Sequence, residues 1–195
     1  MIVELLAVSK NDEYYTPVYA INPLLPYLKN FKKIWCPFDT DESYFVKVLR
    51  DNGHEVINTH LSSGGNFFQL DPNCDAIVSN PPYSLKTEVL ERLFFLKKPF
   101  AMLMGIVGLF ESRRFYLFQD NKFELLIFNK RVSYHTSYKT ETTDLSPPFS
   151  SVYVCHNILP HTVEFAEINK SLKSCRTEKK KNKFQLSLFG AEVGA

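Results

Sequence analysis

Asn80, Pro81, Pro82 and Tyr83 stand in a row, and their chemistry suits a site that holds an amino group. The asparagine side-chain oxygen and the main-chain carbonyl of Pro81 are both acceptors, so one exocyclic amino group can donate to the pair. The two prolines fix φ and stiffen the turn. Tyr83 offers a flat face on which a base can stack. A tight turn rich in Asn and Pro would read the same way. The segment ahead separates the two readings. Asp75 opens the apolar run Ala76-Ile77-Val78, which has the pattern of a buried parallel strand. Ligands in open α/β sheets bind beyond the carboxyl ends of such strands.

The remaining segments supply a sheet to hold that turn. Residues 33–36 read as a first strand ending at Pro37. Asp41 or Ser43 is placed to cap a helix through Asn52, with Phe45, Val46, Val48 and Leu49 as its apolar face and Gly53 closing it. Residues 55–60 read as a second strand, followed by a Ser-Gly-Gly loop and then Phe67 and Phe68. Helical patterns are expected at 19–29, 86–96 and 111–119, and strands at 99–107, 123–128 and 151–159. This alternation predicts an α/β, Rossmann-like fold: a mostly parallel sheet with helices on both faces and a late antiparallel hairpin. Residues 136–149 are polar, end in Pro147-Pro148-Phe149, and read equally as a surface loop or as one facing substrate.

With 195 residues and 45% hydrophobic content, the chain is expected to form one domain over residues 1–169, with a tail over 170–195. It contains no apolar run of transmembrane length, and its first ten residues lack the pattern of a signal peptide, so a cytoplasmic location is expected. Cys36, Cys74, Cys155 and Cys175 are scattered without zinc-type spacing. Reduced, mostly buried thiols follow. His135, His156 and His161 have no cysteine or carboxylate partners at ligand spacing, so no metal is expected. The net charge of +2 conceals an asymmetry. Lys170, Lys173, Arg176, Lys179, Lys180, Lys181 and Lys183 oppose only Glu178 and Glu192 in the tail, so the body is slightly acidic. Any attraction to nucleic acid is then local or comes from the tail.

Asn80-Pro81-Pro82-Tyr83 after a strand resembles the catalytic motif of the amino-methyltransferases that methylate the N6 of adenine with S-adenosylmethionine. Several segments in their order resemble the small adenine-N6 DNA methyltransferase-like proteins of phages and mobile elements. The resemblance spans roughly residues 11–165. It implies that Asp12, Tyr14, Tyr15, Thr16 and Pro17 lie against the methionine part of the cofactor. It puts Pro37, Phe38 and Asp39 in the first cofactor loop, and Asn66, Phe67 and Phe68 beside the cofactor's adenine. Residues 131–134 resemble a later strand near the target base. The resemblance further implies that Asn80 and the Pro81 carbonyl accept from the amino group while the base lies against Tyr83, with no metal and no general base required.

The chain departs from that pattern in the cofactor half. Residues 36–43 contain no glycine, and the second strand ends Asn58-Thr59-His60 without a carboxylate. Asn66 stands where an Asp is common. These departures favour an alternative from another class, a catalytically silent methyltransferase fold acting as a binding or inhibitory protein. A further alternative is an RNA adenine-N6 methyltransferase, because the tetrapeptide does not choose between nucleic acids.

Gln185-Leu186-Ser187-Leu188-Phe189 resembles the pentapeptide by which bacterial replication and repair proteins bind the sliding clamp. Leu186, Leu188 and Phe189 are suited to an apolar pocket, with Gln185 at its rim. The preceding residues are polar and charged, the composition of a solvated linker. The same segment read without the resemblance is a short terminal element packing on its own domain. The implied partners are thus DNA and a bacterial clamp, within a bacterial host cell.

Overall fold

The computed structural model describes residues 14–135, 137 and 146–171. Asp12, the tail with Gln185 to Phe189, and most of the 136–149 loop lie outside the described residues. Strands β1 (Lys33–Cys36), β2 (Glu55–Asn58), β3 (Ala76–Ser79), β4 (Phe100–Gly105), β5 (Glu124–Phe128), β6 (Ser151–His156) and β7 (Val163–Ala166) form one sheet. Their spatial order is β2-β1-β3-β4-β6-β5-β7. Only β6 runs against its neighbours, pairing antiparallel with β4 and β5, while β7 adds a parallel edge to β5. This is the expected α/β, Rossmann-like sheet with its late antiparallel pair.

Period-two alternation divides the core between the two faces. Ile34, Cys36, Ala76, Val78, Ala101, Leu103, Tyr153 and Cys155 belong to one buried cluster together with Phe45, Val46 and Leu49. Trp35, Ile77, Phe100, Met102, Met104, Val152 and Val154 belong to the other, together with Val89, Leu90, Leu93, Phe94 and Phe118. Helix α3 (Tyr44–Asp51) therefore covers one face. Helices α4 (Lys86–Leu96) and α5 (Arg113–Asp120) cover the opposite one. Ser43 is the cap of α3, accepting from the Phe45 amide at 3.2 Å. Gly53, at φ +90, ends that helix where a side chain would be strained.

The expected helix over 19–29 is broken into α1 (Val18–Ile21), a 3₁₀ turn (Asn22–Leu24) and α2 (Leu25–Leu28). Pro23 and Pro26 cannot donate into a continuous ladder, so each opens a new short element. The strand expected to reach residue 159 stops at His156. Asn157 turns the chain at φ +54. The Glu124 carboxylate receives the amides of Asn157, Ile158 and Leu159 at 3.0, 3.1 and 3.3 Å. Strand β7 had no expectation from sequence. Its Val163 and Phe165 are exposed, so it carries no strong apolar signal.

From β1 the chain moves outward to β2, and from β3 it moves the other way to β4. The sheet order therefore reverses between β1 and β3. Two loops diverge there and leave a crevice at the carboxyl ends of the strands.

Candidate functional site

The crevice is real and sizeable. A cleft of about 390 Å³ opens at the carboxyl ends of β1, β2 and β3, within the range of small-molecule sites. The loop after β1 brings Pro37, Phe38, Asp39 and Thr40 to its wall, and the start of α3 brings Ser43. The loop after β2 brings His60, Leu61, Ser62, Gly65, Asn66, Phe67 and Phe68. Asn80 and Pro82 arrive from the end of β3, and Tyr14, Tyr15 and Thr16 from the segment before α1.

That last segment is held by long-range hydrogen bonds. Tyr15 and His135 exchange main-chain bonds of 3.3 and 2.9 Å. The Tyr19 hydroxyl donates to the Ser133 carbonyl at 2.9 Å and accepts from the Ser133 amide at 2.8 Å. The Tyr153 hydroxyl donates to the Ala20 carbonyl at 3.0 Å. Residues 14–20 are thus fastened across the sheet to residues more than a hundred positions later.

Asn80 has a defined orientation. Its Nδ2 donates to the Tyr14 carbonyl at 2.8 Å, and a carbonyl can only accept, so the amide cannot be flipped. Its Oδ1 is buried and has no hydrogen-bond partner. The acceptor that the tetrapeptide chemistry calls for is present and unsatisfied, at a cost of about 1–3 kcal/mol. Thr16 Oγ1, also on the cleft wall, is a second buried atom without a partner. Both belong to residues of the cleft wall, where a bound ligand would satisfy them.

Tyr83 stands beside Asn80 but behind the cleft wall. Its ring stacks on Tyr14, with centroids 5.0 Å apart and planes 25° apart. Phe149 lies tilted at 5.6 Å, and Lys86 Nζ sits 5.4 Å from the ring centroid. The Tyr83 hydroxyl bonds Tyr134 Oη at 2.6 Å, which in turn bonds Ser151 Oγ at 2.7 Å. This chain of hydroxyls fixes the tilt of Tyr83. Burial holds the Tyr134 phenol well above its ordinary range, so it stays protonated.

Asp39 lies on the cleft wall with its carboxylate engaged by two serines. Its two carboxylate oxygens accept from Ser43 Oγ and Ser79 Oγ. Burial pushes its pKa up to about 6, against the pull of the two serine hydroxyls. With both oxygens occupied, Asp39 shapes the loop between β1 and α3. Opposite it stands an aromatic wall. Phe67 contacts Phe38 at 4.9 Å and Phe68 at 5.3 Å between centroids, and the Trp35 ring packs behind at 5.5 Å. At the end of β2, His60 Nδ1 bonds Ser62 Oγ at 2.7 Å and accepts from the Ser62 amide at 3.2 Å. Gly65 lets this loop close: a Cβ there would lie 2.7 Å from Thr59 Cβ.

Tyr14, Tyr15, Thr16, Pro37, Phe38, Asp39, Asn66, Phe67 and Phe68 therefore converge on one cleft with Asn80 and Pro82. Pro17, Pro81 and Tyr83 are not on its wall. Pro17 instead starts α1, its carbonyl accepting from the Ala20 amide at 3.0 Å. Pro81 is buried beneath the turn. Thr40, Ser43, His60, Leu61, Ser62 and Gly65 are wall residues beyond the expectation from sequence. Their signal was position: each closely follows β1 or β2, on the strand ends flanking the reversal.

A nucleoside-bearing cofactor fits this donor set: an aromatic wall, two orphaned polar atoms, and main chain at two strand ends. Among the described residues no group of His, Cys, Asp or Glu is arranged to hold a metal, and no helix is long and apolar enough to cross a membrane. No protein-family model matches the chain, and no match was found among curated proteins. Among solved structures the chain is similar to the crystal structure of a predicted O-methyltransferase from Agrobacterium tumefaciens. The two share 10% identity over 77% of this chain and 84% of that one, with a TM-score of 0.37.

Proposed function

We propose that this protein is an S-adenosylmethionine-dependent methyltransferase acting on the N6 amino group of adenine in DNA. The observation that carries the reading is the buried, partnerless Oδ1 of Asn80, oriented by the Tyr14 carbonyl and set on a cleft at the reversal of strand order. The cofactor, when bound, supplies an electrophilic methyl group. Phe38, Phe67 and Asn66 would hold its nucleoside end, and Tyr15 and Thr16 its methionine end. Asn80 Oδ1 and the Pro81 carbonyl would accept from the amino group, drawing electron density onto its nitrogen and directing its lone pair. Much of the acceleration is then positioning, and the displaced proton leaves to solvent. Tyr83, with its tilt set by Tyr134 and Ser151, gives the base a face to stack on.

DNA is favoured over RNA by the tail, whose Gln185 to Phe189 we propose tethers the protein to a bacterial sliding clamp. Tethering raises the local concentration of the domain to roughly millimolar without enlarging the interface. The competing reading is a fold that binds a partner without transferring a methyl group. It draws support from the glycine-free loop over 36–43 and from the Asp39 carboxylate, whose two oxygens are already bonded to serines.

Calorimetry with S-adenosylmethionine, followed by assays for N6-methyladenine on DNA and RNA pools, tests the three readings together. The proposal expects cofactor binding and Asn80-dependent methylation of DNA. Absence of cofactor binding at millimolar concentration would move support to the silent fold, and transfer confined to RNA would replace the substrate. A peptide of residues 182–195 is expected to bind the clamp with roughly micromolar affinity. No association at about 100 µM would end the tethering proposal.

A further inference from the structure

We infer that the Tyr14 ring holds the place of the target base on Tyr83, so that Tyr14 competes with the base for the slot. The inference rests on the adenine reading above. Tyr14 and Tyr83 are in direct stacking contact, 5.0 Å between centroids and 25° between planes, which leaves no room for a third ring between them. Tyr14 lines the cleft alongside Asn80, whereas Tyr83 does not. Tyr14 therefore covers the side of Tyr83 from which a base would present its amino group to Asn80. Tyr134, edge-on at 6.4 Å, and Phe149, tilted at 5.6 Å, also pack against the ring, which remains partly exposed.

The arrangement lets the ring leave while the main chain stays. The Tyr14 carbonyl anchors Asn80 at 2.8 Å, and the next residue is bonded in both directions to His135. Rotation of the Tyr14 side chain alone uncovers Tyr83 and keeps Asn80 oriented. The ring is held by stacking on Tyr83, by its tilted contact with Tyr134 at 5.2 Å and by packing at the edge of the buried cluster on that face of the sheet; an incoming base can replace the stacking in kind. Only a planar, stacking group offsets the loss of Tyr14. The slot thereby discriminates against an amide side chain carrying the same amino group.

The test uses the full chain, a mixed-sequence single-stranded oligodeoxynucleotide bearing one 2-aminopurine, and saturating S-adenosylhomocysteine to fill the cofactor cleft. Quenching of the 2-aminopurine reads base stacking without turnover. Tyr14→Ala removes the ring and keeps the carbonyl that holds Asn80. It is expected to tighten the quenching isotherm about three- to tenfold, the equivalent of one aromatic pair. Tyr14→Phe should match the wild type, and Tyr83→Ala should abolish the quench. Tyr14→Gln, which removes the ring but keeps a long side chain, substitutes for Tyr14→Ala should that variant melt below the assay temperature. A Tyr83-dependent quench that is unchanged or weakened by loss of the Tyr14 ring overturns the inference and leaves the adenine reading standing. A quench indifferent to Tyr83→Ala, or none in any variant, overturns both.

Discussion

Replacing Asp39 by asparagine is expected to stabilise the protein above pH 6 and to leave it unchanged below pH 4. The carboxyl is buried between Ser43 and Ser79, each donating a hydroxyl to one oxygen. Two charge-assisted hydrogen bonds of about 1.5–3 kcal/mol each oppose a desolvation cost of several kcal/mol. Burial wins, because it raises the carboxyl's pKa from its ordinary 3.8 to about 6. Between those values the folded chain keeps a proton that the unfolded chain has released. Stability therefore falls as pH rises through the window, by about 3 kcal/mol in total at 1.36 kcal/mol per pH unit. Asparagine carries no charge to desolvate. It still accepts from one serine, but the other must turn a lone pair toward its Nδ2. The expected gain at pH 7–8 is thus roughly 1–3 kcal/mol, or about 3–10 °C in Tm for a chain of this size. Urea melts of both proteins at each pH from 4 to 8 isolate the Asp39 contribution as their difference. If the wild type becomes the more stable of the two as pH rises, the ionised carboxylate is the favoured buried species and the ranking of burial over hydrogen bonding is refuted.

Asn80→Ala should lower methyl transfer by at least about 100-fold while shifting Tm by no more than about 3 °C, since it removes one hydrogen bond and one unsatisfied acceptor together. Wild-type turnover on a validated substrate would remove Asn80 from the reaction. Tyr134→Phe breaks the hydroxyl chain at its buried middle. It should reduce kcat/KM for nucleic acid about three- to tenfold, one hydrogen bond's worth, with the Kd for S-adenosylmethionine unchanged in calorimetry. A parallel loss of cofactor affinity would make Tyr134 merely structural. Glu124→Ala strands three main-chain amides around a fully buried position and is expected to cost about 3–5 kcal/mol by chemical denaturation. A loss under 1 kcal/mol would mean that the 157–159 turn holds itself without the carboxylate.

The sequence by itself determined the central strands of the sheet. Ala76-Ile77-Val78 and Phe100 to Met104 are buried on both faces and leave little choice but a central strand. The alternation of β1, α3 and β2 with their cap at Ser43 and stop at Gly53 is local chemistry, legible without partners. The candidate acceptor at Asn80 was legible for the same reason: its neighbours are prolines, and its place follows a strand end. Short-range signals end there. Pro23 and Pro26 announced the break in the first helix, yet the apolar periodicity over 19–29 masked it. Strand β7 exposes Val163 and Phe165 on an edge and exists because β5 offers an open ladder.

The site's working details are long-range and were decided by tertiary structure alone. Nothing near Asn80 in sequence reveals that a carbonyl 66 residues earlier fixes its amide. Nor does anything near Tyr83 show that the ring of Tyr14 lies upon it, or that Tyr134 and Ser151 hold its hydroxyl. Asp39 looks like a ligand for the cofactor in the sequence. In the fold both of its carboxylate oxygens are already engaged, by Ser79 on the neighbouring strand and Ser43 at the helix cap. Local propensity sets which segments become strands and helices. The sheet's order of strands sets which loop ends meet, and only that meeting decides which polar atoms are satisfied by the protein and which are left for a ligand.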